Sequence, residues 1–293
     1  MQKEMLSINH AAVDYPAFRE RLKKQLGSFP WWLAALAAIA AGTFWLISTR
    51  ESYNNAFTFI KAGLSVTITT TLIAYGISII IGLVTSLGRI SNNLILRNLA
   101  TLYVEIIRGI PMMVLIFFIA LVGVPAVMNL LKELGQWITS LGWVNAGNAL
   151  ISLKNDAIPM NTRAIVALAV TYGAFSAEIF RAGIQSVGKG QMEAARSQGM
   201  SYGQAMRYVI LPQAIRNVLP ALGNDFVSML KDTSLVSVLA VRDITQIARL
   251  YAGRSFHYQE AYINLAVLYL SMTVILSFAV KFLEKRLQRD ERN

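Results

Sequence analysis

Long runs of apolar residues separated by short polar segments dominate this chain. Each of five clear runs reaches the roughly 17–25 residues that a helix needs to cross the hydrocarbon core of a bilayer. These runs cover residues 31–48, 63–88, 110–130, 164–187 and 259–280. A sixth segment, 214–240, is also largely apolar, but it is interrupted by the charged residues Arg216, Asp225, Lys231 and Asp232. The apolar pattern alone therefore predicts five or six membrane-spanning helices.

The positions of lysine and arginine decide between these counts. If six helices cross and both termini lie in the cytoplasm, 18 of the 27 lysines and arginines fall on the inner segments 1–30, 89–109, 181–216 and 281–293. Inner loops of membrane proteins are enriched in these two residues, and five helices would place the basic C-terminus outside. We therefore predict an all-α polytopic membrane protein with six transmembrane helices. The segment 214–240 then crosses, with its charges turned away from lipid.

Composition narrows the possible functions. Of the 293 residues, 55% are hydrophobic and 15% are charged, whereas about a quarter of the residues in a soluble domain are charged. The formal charge of +11 is accounted for by the inner loops, and no aromatic-rich basic groove stands out, so we expect no nucleic-acid partner. The chain has no cysteine and no convergent set of histidines and carboxylates. We therefore expect neither a metal site nor catalytic residues.

The segment 188–213, on a predicted inner loop, has the signals of two short helices joined by a bend. Gln191–Gln198 favours a helix, and Gly199 can adopt the left-handed conformation that ends it. Ser201 can cap a second helix, and Gln204 completes a capping-box pattern. An apolar face on the second helix and a proline suited to a restart of the chain follow at Ala205, Met206, Val209 and Pro212. Such a loop is shaped to lie in a groove of another protein.

This segment resembles the EAA loop of the permeases of binding-protein-dependent ABC importers. In that family, Glu-Ala-Ala is followed by three residues, a glycine, nine residues, an aliphatic residue, any residue, leucine and proline. Val209 stands at the aliphatic position in place of the usual isoleucine. The matching positions, which the resemblance assigns to ATPase coupling, are Glu193, Ala194, Ala195, Gly199, Leu211 and Pro212.

The resemblance extends over most of residues 60–285. Three stretches fit the polar-amino-acid branch of the family: YVEIIRGIPMMV at 103–114, AEIFRAGIQSV at 177–187 and LPALGNDFVSMLKDTSLVSVL at 219–239. Many members of this branch look like five-span proteins, so the cytoplasmic segment and extra helix of residues 1–59 are an addition. We accordingly divide the chain into this addition, an ABC-importer permease (MetI-like) domain at 60–285 and a basic cytoplasmic tail at 286–293.

The resemblance implies a machine with several subunits. In the family, the loop forms a coupling helix in a cleft of an ABC ATPase dimer, whose closure on ATP switches the permease between inward- and outward-facing states. This chain shows no G-x-x-x-x-G-K-[ST] phosphate loop, so ATP and magnesium are assigned to the partner ATPase and no cofactor is expected here. A second permease, identical or similar, completes the pathway. An extracytoplasmic substrate-binding protein delivers the substrate.

Polar residues inside the predicted spans are candidates for the substrate pathway, because ionisable groups are costly in lipid. Glu178 is expected either to meet an amino group of the substrate or to pair with Arg181 on the same helix face. The next crossing carries a polar stripe and then a potential helix break, at Asn224, Ser228, Lys231 and Thr233. The stripe either lines a cavity or packs between helices.

Two further features lie outside this pathway. Glu105 and Arg108, just before Gly109 and Pro111, are predicted to form an interfacial ion pair at a helix break. The outer segment 131–162 predicts an interfacial helix followed by an irregular loop. This segment is either a docking surface for an external partner or an ordinary connector.

The sequence thus predicts a membrane-spanning subunit of an ATP-driven importer that carries a polar amino acid, such as glutamate or glutamine, across a bacterial cytoplasmic (inner) membrane. The rival hypothesis is a secondary amino-acid transporter that works without an ATPase, although such proteins more typically show paired repeats in a longer chain. The identity of the amino acid and the choice between a homodimer and a heterodimer stay open.

Overall fold

The computed structural model of the protein describes residues 31–153 and 155–289. Every regular element in these ranges is a helix, which confirms the predicted all-α class. The predicted N-terminal cytoplasmic segment, residues 1–30, and the last residues of the basic tail, 290–293, lie outside the described ranges.

The helices follow the apolar runs of the sequence. They are α1 (Trp31–Thr49), α2 (Glu51–Ile60), α3 (Leu64–Arg89), α4 (Leu94–Gly109), α5 (Met112–Phe118), α6 (Val124–Ser140), α7 (Val144–Ile151), α8 (Met160–Ser186), α9 (Lys189–Ser197), α10 (Tyr202–Ala205), α11 (Leu211–Asp232), α12 (Ile244–Ser255) and α13 (Tyr258–Arg289). Short 3₁₀ helices occupy Lys61–Gly63, Asn155–Ala157 and Thr233–Leu239, and π turns occupy Ile119–Gly123 and Met206–Ile210. A 3₁₀ turn thus joins α2 to α3, and a π turn joins α5 to α6.

Four helical stretches of the described chain are long and apolar enough to cross a membrane: Glu51–Arg89, Met112–Ser140, Met160–Ser186 and Tyr258–Arg286. Leu33–Thr49 is a shorter apolar helix. The charged α11 is not among these stretches, because its polar residues lower its hydropathy. The count of six spans therefore stays a prediction.

The core of the bundle lies where α3 packs along α8. A methyl group on Gly82 of α3 would lie 2.6 Å from the Cβ of Ser176 and 2.9 Å from the backbone nitrogen of Ala177. Only glycine allows the two backbones to come this close. Small residues at such contacts let helices in membranes pack tightly.

Polar contacts at both ends of this pair show that α3 and α8 run in the same direction. The hydroxyl of Thr70, early in α3, donates to Oδ1 of Asn161 at 2.9 Å, early in α8. Arg89, the last residue of α3, pairs with Glu178 in the second half of α8. We call the end that carries Arg89 and the segment 188–213 the loop end of the bundle. With 26 residues, α3 is roughly 39 Å long, so the opposite end is far from that segment.

The start of α12 marks this opposite end, which we call the far end. The backbone N–H of Ile244 donates to the hydroxyl of Thr67 at 3.1 Å, and α12 also packs against α2 and α13. The carboxylate of Asp243 caps α12 by accepting from the backbone N–H of Gln246 at 2.8 Å. The far end is thus built from α2, the start of α3 and α12.

The segment 131–162 differs from its prediction. Where we expected an irregular loop, a second helix, α7, folds back along α6 after a short turn. The buried Arg163 secures the return to α8, because its guanidinium donates to the backbone oxygens of Asn155 at 2.7 Å and of Ala120 at 3.3 Å. Ala120 lies in the π turn, where carbonyl groups lose their regular helical partners.

Candidate functional site

The loop at 188–213 forms the two helices and the bend that the sequence predicts. Gly199 has a φ of +82°, the left-handed conformation that L-residues other than glycine rarely adopt. The N–H of Met200 donates to the oxygen of Ala195 at 3.2 Å, and the N–H of Gly199 donates to the oxygen of Arg196 at 3.0 Å. These two bonds form a Schellman motif, which ends α9 and fixes the direction of the chain after it.

The start of the second helix is also as predicted. The N–H of Ser201 donates to Oε1 of Gln204 at 2.8 Å, and the N–H of Gln204 donates to the hydroxyl of Ser201 at 3.3 Å. Both halves of the capping box are therefore present. The bend is held on both sides by local hydrogen bonds, so it is a defined turn between two helices.

The expected restart of the chain at Pro212 does not occur. The short α10 passes through the π turn Met206–Ile210 directly into α11, so the backbone stays helical. Pro212 lies in the first turn of α11, and it has no N–H to give to the preceding turn. The wider π turn just before it accommodates this missing bond.

The apolar side of the loop faces the protein itself. Ala195 and Ala205 are buried, and a small cluster joins the loop to the ends of α8 and α11 through Ile184, Val187, Met192, Met206, Val209, Ile210 and Ala214. The predicted apolar face therefore fixes the loop onto the bundle and is not free to enter a partner.

A different set of residues points away from the bundle. Glu193, Ala194 and Pro212 are exposed, and two tyrosines, Tyr202 and Tyr208, expose 56% and 64% of their surface. Exposed aromatic residues are enriched at protein–protein interfaces. Neither tyrosine is among the residues predicted from the sequence, although Tyr202, a large aromatic residue directly after a helix cap in a polar loop, gives a usable signal.

An ion-pair network lies beside the loop. Glu178 pairs with Arg181 on its own helix and with Arg89 at the end of α3, as the architectural interpretation of Glu178 expected. Oε1 of Glu105 lies 3.9 Å from Nη2 of Arg89. The network connects α3 to α8 at the loop end. Through Glu105, α4 also contacts Arg89 of α3.

The predicted pair between Glu105 and Arg108 is wrong. Among the described residues Arg108 makes no ion pair, because Glu105 turns toward Arg89, which reaches in from the end of α3. The helix break itself is confirmed, since α4 ends at Gly109 and α5 begins at Met112.

The polar stripe of α11 is open on one side of the chain. Asn224 and Lys231 are exposed, Ser228 is half-buried, and the hydroxyl of Ser228 donates to the oxygen of Asn224 at 3.1 Å. The α-helix ends at Asp232, as predicted for this region. Thr233 does not join the stripe, because it is fully buried and its hydroxyl donates to the oxygen of Leu230 at 2.7 Å.

A neighbouring face of α11, roughly a quarter turn from the stripe, carries two carboxylates that sequence analysis did not place in a site. The hydroxyl of Tyr172 donates to Oδ2 of Asp232 at 2.6 Å, and the hydroxyl of Ser176 donates to Oδ2 of Asp225 at 3.4 Å. The two aspartates are seven positions apart and therefore share one face of α11. Their partners on α8, Tyr172 and Ser176, are four positions apart and share one face of that helix. The spacing of the two aspartates can be read from the sequence, but the sequence does not show that α8 packs against them.

These features define a helical membrane protein whose loop end carries an exposed helix–bend–helix. Residues 74–289 match the family model described as binding-protein-dependent transport system inner membrane component. The chain belongs to this family, which the resemblance of the loop had predicted, and it has the helical arrangement of an ABC-importer permease.

Named relatives and a solved structure agree with this assignment. The chain is 39% identical over 233 residues to the probable glutamine ABC transporter permease protein GlnM of Bacillus subtilis, covering 80% of this chain and 95% of GlnM. It is 32% identical over 210 residues to the glutamine transport system permease protein GlnP of Escherichia coli (strain K12), covering 72% of this chain and 84% of GlnP. The crystal structure of an amino acid ABC transporter with histidines is similar with a TM-score of 0.63 and 36% identity, covering 80% of this chain and 95% of that chain.

Proposed function

We propose that this chain carries a polar amino acid across a bacterial cytoplasmic membrane as the permease subunit of an ATP-driven importer. The loop at 188–213 carries the proposal, because its outward face and its position at one end of the bundle suit a docking partner. The names of GlnM and GlnP favour glutamine, and the amino acid ABC transporter solved with histidines widens the class to polar amino acids.

The loop end then faces the cytoplasm, and the far end faces outside. ATP and magnesium bind to a separate ATPase dimer, which meets Glu193, Ala194 and Tyr202 and moves the loop as it closes. The cluster that fixes the loop onto α8 and α11 makes these elements move as one body. A second permease, identical or similar, covers the open side of the bundle.

In this arrangement the polar stripe of α11 lines the pathway. Lys231 is exposed and makes no ion pair among the described residues, so its ammonium group is available to a substrate carboxylate. Asn224 and Ser228 add neutral hydrogen-bonding groups on the same face. Glu178 is engaged by two arginines and serves the architecture of the loop end.

A cross-linking experiment tests the docking of the loop. The chain contains no cysteine, so a single introduced thiol is unique. Ala194→Cys, labelled with a thiol-directed photo-cross-linker in the assembled importer, should form an adduct with the ATP-hydrolysing subunit that co-purifies. The matched control is Ala149→Cys on α7, which is exposed but lies in the segment between α6 and the start of α8. Adducts from position 149 and none from position 194 would refute the proposal.

A further inference from the structure

A groove of about 430 Å³ opens at the far end of the bundle, between α2 and α12. Its α2 side consists of Asn55, Thr58, Phe59 and Ala62, and its α12 side consists of Arg242, Ile247, Leu250 and Arg254. We call it the far-end groove. Its floor is apolar, since Phe59 contacts the ring of Tyr251 at a centroid distance of 5.6 Å and still exposes 41% of its surface.

Positive charge lies along the α12 side of this groove, and on α2 the exposed carboxylate of Glu51 lies one turn before Asn55. Arg242 and Arg254 are both exposed, and a third arginine, Arg249, is exposed on another face of α12. None of the three makes an ion pair with another described residue. The only carboxylate on this part of α12 is that of Asp243, which is buried and committed to capping the helix.

Unpaired arginines at the far end need an explanation, because this end faces outside in the proposed orientation. Arginine and lysine are depleted from the outer segments of membrane proteins, so the far end is where they are least expected. All three residues are exposed and form no ion pair or side-chain hydrogen bond with the described residues, so no contact within the fold accounts for them. Arginine and aromatic residues together are typical of the anchor points of protein interfaces.

We infer that the far-end groove receives an acidic segment of the soluble substrate-binding protein, held by Arg242 and Arg254. This inference rests on the proposed function, in which a soluble protein must meet the permease at the end opposite the ATPase. The apolar floor and the amide and hydroxyl of Asn55 and Thr58 suit a protein segment with mixed side chains. The two arginines add attraction over distance, which raises the rate of encounter at low salt.

The groove also gives a role to residues outside the region matched by the family model, which begins at residue 74. One side of the groove belongs to α2, and the predicted addition to the permease pattern covers residues 1–59. The addition and the permease domain thus build the docking site together. Without the α2 side, the arginines of the α12 side would be present, but there would be no groove to receive the partner's side chains.

Charge reversal tests this inference in the importer reconstituted in nanodiscs with its substrate-binding protein. Arg242→Glu and Arg254→Glu should each weaken binding of that protein by roughly fivefold to tenfold at low salt, and the double variant should weaken it further. Arg249→Glu is the matched control, because it makes the same charge change on the same helix outside the groove, and it should change the affinity by less than about twofold. Raising the salt concentration should shrink the difference between the wild type and the double variant.

A second variant acts through shape and leaves the charge unchanged. Thr58 is exposed on the α2 side, so Thr58→Trp should fill the groove without disturbing the core, and it should weaken binding by at least about tenfold. Equal affinity for the wild type, both arginine variants and Thr58→Trp would overturn the inference.

Varying the lipid of the nanodiscs distinguishes the binding protein from anionic lipid headgroups, which could also occupy a groove lined by arginines. If the arginine variants matter only in nanodiscs that contain phosphatidylglycerol, and leave the affinity for the binding protein unchanged, the groove holds anionic headgroups and the inference is wrong. All measurements start from a wild-type importer that shows ATP-driven uptake. Absence of that uptake contradicts the proposed function, whereas uptake with unaltered docking contradicts only the groove.

Discussion

Glu193→Lys should abolish ATP-driven uptake while leaving the chain folded and inserted in the membrane. Glu193 is exposed on α9 and makes no contact with a charged partner among the described residues, so the change removes nothing from the fold. At a docked interface, however, reversal of a charge that a partner buries costs about 2–5 kcal/mol. We therefore expect uptake to fall at least roughly thirtyfold, measured as the initial rate in vesicles.

Two comparisons make this result specific to the loop. Glu133→Lys makes the same change at an exposed position of α6 and should leave uptake within about twofold of the wild type. Gly199→Pro should also abolish uptake, because proline fixes φ near −65° and the bend requires +82°. Gly190→Ala, at an open helical position of α9, should be tolerated. Normal uptake by Glu193→Lys or Gly199→Pro would end the assignment of the loop to coupling.

Gly82→Val should prevent α3 and α8 from packing and yield little folded protein. The first atom of the new side chain would already lie 2.6 Å from the Cβ of Ser176 and 2.9 Å from the nitrogen of Ala177. The nitrogen belongs to the backbone, so relief requires the helices to separate along the core of the bundle. We expect a loss of about 3 kcal/mol, the upper end of the usual cost of overpacking, measured by thermal unfolding of the detergent-solubilised chain.

The matched control for this change lies six residues earlier on the same helix. Gly76 is exposed, and a Cβ there would meet nothing within 4 Å. Gly76→Val should therefore leave the unfolding temperature close to that of the wild type. If both valine variants unfold alike, the close approach of α3 and α8 at Gly82 does not hold the bundle together.

The positions of the helices followed from the sequence because an apolar run of spanning length has few alternatives. The bend of the loop was also predictable, since Gly199, Ser201 and Gln204 act on their immediate neighbours. Local hydrogen bonds of this kind need no knowledge of the rest of the fold. The same holds for the helix break after Asp232.

Features that depend on a neighbouring helix were not predictable in this way. The apolar residues Met206 and Val209 fit a groove in a partner as well as a groove in the bundle, and only the packing of α8 and α11 shows which they fill. Arg108 is the nearest arginine to Glu105 in the sequence, but in the fold Glu105 pairs with Arg89. The carboxylates of Asp225 and Asp232 interrupted an apolar run in the sequence, and their partners on α8 became visible only when the helices were packed.

Uptake in vesicles tests the central claim most directly. The chain is reconstituted with its ATPase, with ATP inside the vesicles and the substrate-binding protein outside, and the accumulation of radiolabelled glutamine, glutamate and histidine is followed. We predict that at least one of these polar amino acids accumulates, that accumulation stops without ATP, and that ionophores leave it unchanged. Uptake that an ion gradient drives in the absence of ATP would contradict the account and favour a secondary transporter.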